Sequence, residues 1–209
     1  MRVYIGQTRS RKLIARLTEL GFGECTQRNE WPPRRRPWIL DNGAFSDWNA
    51  GRAFDAAEWL SACAWAAAQP SADQPAWCVC PDRVATGLDS LAFSLRWLDS
   101  HGSEFPGLRY YLAVQDGMVA SDVVPVAHRF AGLFVGGGLP WKIATGGAWV
   151  TTAHALGMPC HIGRVGTPDR VRWARRIGAD SIDSCLPLWS EENLQRFLSG
   201  FVDRQLEMF

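Results

Sequence analysis

Short apolar runs punctuate the chain, and most are followed by a longer stretch whose apolar residues fall three and four apart. The runs at 3–6, 38–41, 77–80, 110–115, 133–136, 160–164 and 181–185 have the length and the β-branched or aromatic content of buried strands. The stretches at 11–20, 53–68, 88–100, 142–156 and 168–177 carry the helical period. Thr167-Pro168-Asp169 is a helix start, an N-cap residue followed by proline at the first position. Ser190, followed by Glu191 and Glu192, opens a last helix predicted over 190–203.

Strand followed by helix, repeated, implies a parallel sheet, either open and doubly wound or closed into a barrel. Seven strands are clear and an eighth fits near 23–26. A full-size barrel runs to about 250 residues, so a barrel of 209 residues is a minimal one with an irregular or missing unit. The one long loop covers 22–37 and contains Trp31-Pro32-Pro33-Arg34-Arg35-Arg36-Pro37. With no repeat and no linker, residues 1–209 read as a single domain.

Composition changes this picture little. A formal net charge of +1 gives no global field for nucleic acid but leaves room for a local basic groove. Eleven Trp are many; most are expected in the core, although an indole can also stack on a base. No stretch approaches the ~18 apolar residues that span a bilayer. Without a signal-like start, the six Cys are expected to be reduced thiols in a cytoplasmic protein.

The chemistry lies in where the polar residues fall. Asp41, Asp82, Gln115 with Asp116, Gly136-Gly137-Gly138, Arg164 and Asp183 each stand at or just after the end of a predicted strand. In parallel α/β folds those ends open onto one face, where active sites are built. Any one such Asp is as readily a turn or cap residue; convergence from five or six units is the stronger signal. Clustered carboxylates with an Arg and a glycine turn suit divalent-metal phosphate chemistry. They also suit glycosyl chemistry, in which one carboxylate attacks an anomeric carbon and another moves a proton.

The order of the motifs resembles one family. Asp41-Asn42-Gly43-Ala44-Phe45, Cys80-Pro81-Asp82, Val114-Gln115-Asp116-Gly117, Phe134-Val135-Gly136-Gly137-Gly138-Leu139, His161 to Asp169 and Gly178 to Pro187 are similar, in sequence order, to segments of the tRNA-guanine transglycosylases. That family's zinc site has no counterpart after Asp183, where Cys185 is the one remaining Cys and no His follows. Leu188-Trp189 also replace a basic contact. The trimmed form is closest to the deazapurine DNA modification transglycosylases of phages and bacteria. The resemblance implies a minimal (β/α)8 barrel of the TIM type without a zinc subdomain. It further implies exchange of guanine in DNA for a free 7-deazaguanine base such as preQ0, without metal or cofactor.

On that resemblance Asp183 is the nucleophile and Asp41 the proton-transfer partner. Asp82, Gln115, Gly136, Gly137, Gly138 and Arg164 bind the base, and Arg34, Arg35, Arg36 and Lys142 are candidate contacts to the nucleic-acid backbone. Arg170, Arg172, Arg175 and Arg176 could do the same but fit a solvated helix face. The alternatives are a tRNA transglycosylase or a nucleoside hydrolase on the same barrel, and a non-catalytic nucleic-acid-binding barrel. Cys78, Cys80, Cys160 and His161 could form a zinc site, but buried apolar thiols fit the strand runs better. His161 is also a candidate to face the barrel interior beside the site.

Overall fold

A computed structural model describes residues 1–202. Eight parallel strands close into one barrel in sequence order: β1 (Arg2–Gly6), β2 (Gly23–Gln27), β3 (Trp38–Asp41), β4 (Cys78–Val79), β5 (Tyr110–Val114), β6 (Gly132–Val135), β7 (Cys160–Ile162) and β8 (Ser181–Ser184). Closure is made where β8 pairs with β1, with Tyr4 opposite Asp183. The helices are α1 (Arg11–Glu19), α2 (Ala44–Asn49), α3 (Ala56–Ala67), α4 (Leu88–His101), α5 (Ala120–Val123), α6 (Leu139–Ala155), α7 (Pro168–Arg176) and α8 (Glu191–Leu198). The expected barrel and its eighth strand are both present. The short α2 and α5 were not foreseen, since one or two turns carry too little period to read. The expected helix over 190–203 is α8 followed by a turn of 3-10 helix at Ser199–Phe201; Asp203 lies outside the described residues.

Strand alternation divides the side chains into two layers. Outward-facing Val3, Ile5, Leu40, Leu112, Leu133, Val135, Ile162 and Ile182 pack under the helices, together with Trp59 and Ala66 of α3 and Trp149 and Val150 of α6. Inward-facing Tyr4, Ile39, Val79, Tyr111 and Ala113, joined by Trp77, fill the barrel. Trp77 stacks on Tyr111 with ring centroids 4.2 Å apart. The rings fit because small residues face them. A Cβ at Gly132 would lie 2.5 Å from the Tyr111 ring, and one at Gly23 would lie 2.7 Å from Tyr4.

One unit lacks its helix. β2 connects to β3 through residues 28–37, with no helix between them. The outer face of β2 carries Glu24 and Thr26, both fully buried. Arg35 folds over it, with a guanidinium nitrogen 3.3 Å from Glu24 Oε2. Arg35 also donates to the carbonyls of Ile5 at 2.8 Å and Gly6 at 3.2 Å, and the Arg34 amide donates to Glu24 Oε1 at 2.9 Å. A buried ion pair thus stands where its neighbours have a helix-strand seam. Removing one partner strands the other charge out of water, which costs several kcal/mol.

Arg35→Ala is therefore expected to lower unfolding free energy by about 3–5 kcal/mol. A Glu24→Met/Arg35→Met double variant should lose much less. Urea unfolding of the three proteins measures this, and equal losses for the single and double variants would contradict the account.

Candidate active site

The interior parity continues past the last apolar residue of each strand. Ile39 faces inward, so Asp41 does too; the same holds from Ala113 to Gln115 and from Ser181 to Asp183. At the C-terminal ends of the strands these side chains line one cavity of about 440 Å³. Asp41, Asp82, Gln115, Gly136, Gly137, Arg164 and Asp183 all border it. Its size falls in the roughly 300–1,000 Å³ range of small-molecule sites.

Asp82 and Gln115 form the most buried part. Asp82 Oδ1 accepts from Asn42 Nδ2 at 2.7 Å, and Gln115 Nε2 donates to Asp82 Oδ2. Gln115 Oε1 accepts from the Gly137 amide at 3.0 Å. Gly137 has φ of 63°, and a Cβ there would lie 2.5 Å from Trp141, so glycine is required at that turn. Burial pushes the Asp82 carboxyl up to about 6, against the two amide donors and the Arg164 charge that favour its ionised form.

Asp41 is supported by less. The Gly43 amide donates to its Oδ1 at 2.7 Å. Burial raises its pKa to about 6; the Gly43 bond opposes this, and the charges of Asp183, Asp82 and Glu30 add to the rise. Asp183 stands between these acids and the β7–α7 turn. His161 Nε2 lies 2.9 Å from its Oδ1, and the Arg164 amide lies 3.2 Å from both carboxylate oxygens. Arg164 adopts a left-handed backbone, φ 57°, uncommon for a side chain of its kind. That turn aims its amide at Asp183. Its guanidinium lies 4.0 Å from the Phe45 ring centroid and donates to the Gly137 carbonyl.

Other assignments fare differently. Gly138 does not border the cavity; its amide donates to Asp116 Oδ2 at 2.6 Å and starts α6. Lys142 is corrected: it is buried, and its Nζ donates to the Gly163 carbonyl, so it offers no surface to a phosphate. Burial first, then the Arg164 charge, brings its pKa down to about 7. Arg35 is likewise corrected, being held against Glu24. Arg34 and Arg36 are exposed, but the loop has descended to the start of β3 by then. Arg36 pairs with Asp73 at 3.3 Å, ahead of β4 and away from the mouth. Arg172 and Arg175 bond Asp169 and the carbonyls of Ser199 and Phe201. Cys160 faces the helix layer while His161 faces the interior, so β7 cannot offer both to one metal.

Asn42 and Phe45 also belong to the cavity, in the segment that follows Asp41. The first holds Asp82 and the second supplies an aromatic face at the mouth. No protein-family model matches the chain, and no curated protein does.

Asp41→Asn keeps an acceptor for the Gly43 amide and removes a buried charge. At low pH the wild-type carboxyl is protonated in both folded and unfolded chains, so the variant gains nothing. Between about pH 4 and 6 the unfolded chain ionises first, and above 6 the folded carboxylate carries the full penalty. The variant should be more stable by about 2–3 kcal/mol at pH 8 and by less than about 1 kcal/mol at pH 4. Denaturation curves at the two pH values test this; an equal or reversed difference would refute it.

Proposed function

We propose that the chain is a base-exchange transglycosylase that replaces guanine in DNA by a 7-deazaguanine base, with Asp183 as the nucleophile. The reading rests on one observation: Asp82, Gln115 and the Gly137 amide form a connected row of hydrogen-bonding groups in the same cavity as Asp41 and Asp183. Guanine presents two donors, N1–H and the 2-amino group, beside two acceptors, O6 and N7. A carboxylate can accept from the first pair, and the second N–H of the Gln115 amide, which the Gly137 N–H holds in place, can donate to the second. A buried set of this kind rejects adenine, whose edge would leave those groups unpaired. Phe45 offers the base a stacking face, covered in the free protein by the Arg164 guanidinium.

The reaction follows from the two remaining acids. A carboxylate oxygen of Asp183 forms a bond to C1′ as the C1′–N9 bond breaks, and the electron pair leaves with guanine. Asp41, with a pKa raised to about 6, supplies the proton that neutralises the leaving base. The incoming base gives its own N9–H proton to Asp41 and bonds to C1′ through N9 as the C1′–oxygen bond breaks and its electron pair returns to the Asp183 carboxylate. The target nucleotide has to leave a base stack to enter the cavity, so flipped or single-stranded DNA is the expected substrate.

Incubation with guanine-containing DNA and a labelled 7-deazaguanine should label the DNA. Label in tRNA instead would move the substrate to RNA, and free guanine without incorporation would make the protein a hydrolase. Asp183→Ala or Asp183→Asn should lower exchange by at least about 10³-fold, the scale of losing a covalent nucleophile. Wild-type exchange in either variant would overturn the mechanism. Asp82→Ala should reduce the preference for guanine over adenine by at least about 100-fold, as paired buried partners are lost; the ratio of base-release rates on matched oligonucleotides measures it.

A further inference from the structure

The imidazole of His161 is fully buried, yet it is polar at both ends. It is packed flat against Phe134, with ring planes 12° apart, and edge-on to Trp77. Its Nδ1 lies 2.8 Å from Ser181 Oγ and its Nε2 lies 2.9 Å from Asp183 Oδ1. A carboxylate can only accept, so Nε2 carries the proton. Nδ1 then accepts from the Ser181 hydroxyl, which fixes the tautomer. The titratable groups around the ring are Tyr4 from β1 and Asp183 from β8, with Lys142 of α6 acting from further away. Burial lowers the imidazole pKa, against the pull of Asp183. The ring is thus a neutral, single-direction donor. Ser181 is buried inside the barrel and does not border the cavity, so the Ser–His–Asp order here is not a serine nucleophile with its base.

We propose that His161 is a positioning residue that governs the release of Asp183 from its glycosyl ester, through a fixed N–H on Oδ1. The inference rests on the transglycosylase reading above. Oδ1 is occupied by this donor, while among the described residues Oδ2 has only the shared Arg164 amide. Oδ2 is therefore the oxygen left to attack C1′, and Oδ1 becomes the ester carbonyl. During attack the carboxylate loses charge and the His161 bond weakens. During release, as the C1′–Oδ2 bond breaks and its electron pair returns to Asp183, the bond strengthens. The donor therefore favours the free carboxylate and holds back accumulation of the ester. His161 keeps its own proton throughout.

His161→Phe retains the ring packing and deletes the donor; His161→Gln places an amide N–H near the position of Nε2. With guanine DNA and no incoming base, His161→Phe should accumulate more protein–DNA ester on a denaturing gel than wild type. With the incoming base, its ester should break down about 10–100-fold more slowly, the effect of losing one hydrogen bond to a charged group. His161→Gln should recover most of both. A merely structural role would lower ester formation together with exchange. Unchanged ester levels and breakdown in His161→Phe, with an active wild type, would overturn this inference alone. A wild type that forms no ester and exchanges no base would instead overturn the functional reading and this inference with it. Nitrogen-15 NMR of the wild type gives a readout free of activity. His161, identified by the signal lost in His161→Gln, should be protonated at Nε2 only at about pH 7 and above; protonation at both nitrogens there would refute the fixed donor.

Discussion

The site depends on a parity set when β8 closes onto β1. In a closed barrel every second residue of each strand faces the interior, and no strand can slip by one without turning its core residues out. The interior of this barrel is filled at its base by Tyr4, Trp77, Tyr111 and Phe134. Those rings leave no freedom of register, so the polar residues of the same parity at the strand ends have to face the mouth. Asp41, Gln115 and Asp183 gain their direction from the aromatic packing beneath them. His161 obeys the same parity: its phase in β7 brings it beneath Asp183 on the inner side, beside Ser181 of the neighbouring strand.

Placing Asp41, Asp82 and Asp183 around one cavity is electrostatically costly, and the protein meets the cost differently for each. Asp82 receives two amide donors and feels the Arg164 charge, yet burial still outweighs them. Asp41 has one backbone donor and three acidic neighbours. Asp183 is held by the His161 ring and the Arg164 amide, both positioned from β7 and its following turn. Lys142 belongs to the same assembly, because its ammonium caps the Gly163 carbonyl one residue before that turn. Its place in the structure is to hold the loop that holds Asp183.

Much of the barrel was legible because its period is coarse. Apolar runs mark seven strands, and their polar ends mark the mouth. The eighth strand was faint for a reason visible in its outer face: Glu24 and Thr26 occupy positions where the other strands carry apolar residues. Their partner is Arg35, and charge in a sequence does not say which way a side chain faces. Three consecutive arginines read as a phosphate contact; in the fold one is buried and the others lie near the start of β3. Lys142 misled in the same way, since one lysine in a mostly apolar helix looks solvated until its carbonyl partner is known. Asn42 and Phe45 act through contacts with residues far away in sequence, which no local pattern reveals.

The same charges limit how much of a nucleotide can enter. Asp41, Asp82, Asp183 and Glu30 border the cavity, and among the described residues Arg164 is the one cation on its wall. A phosphate brought among them would face carboxylates at short range in a poorly screened space. A base carries no such charge, and its edges match the groups present. On the transglycosylase reading the base and the anomeric carbon go in while both flanking phosphates stay outside. The nucleotide would have to rotate out of its strand far enough to bring C1′ level with Asp183. On that reading the acids of the wall would also set the depth of entry.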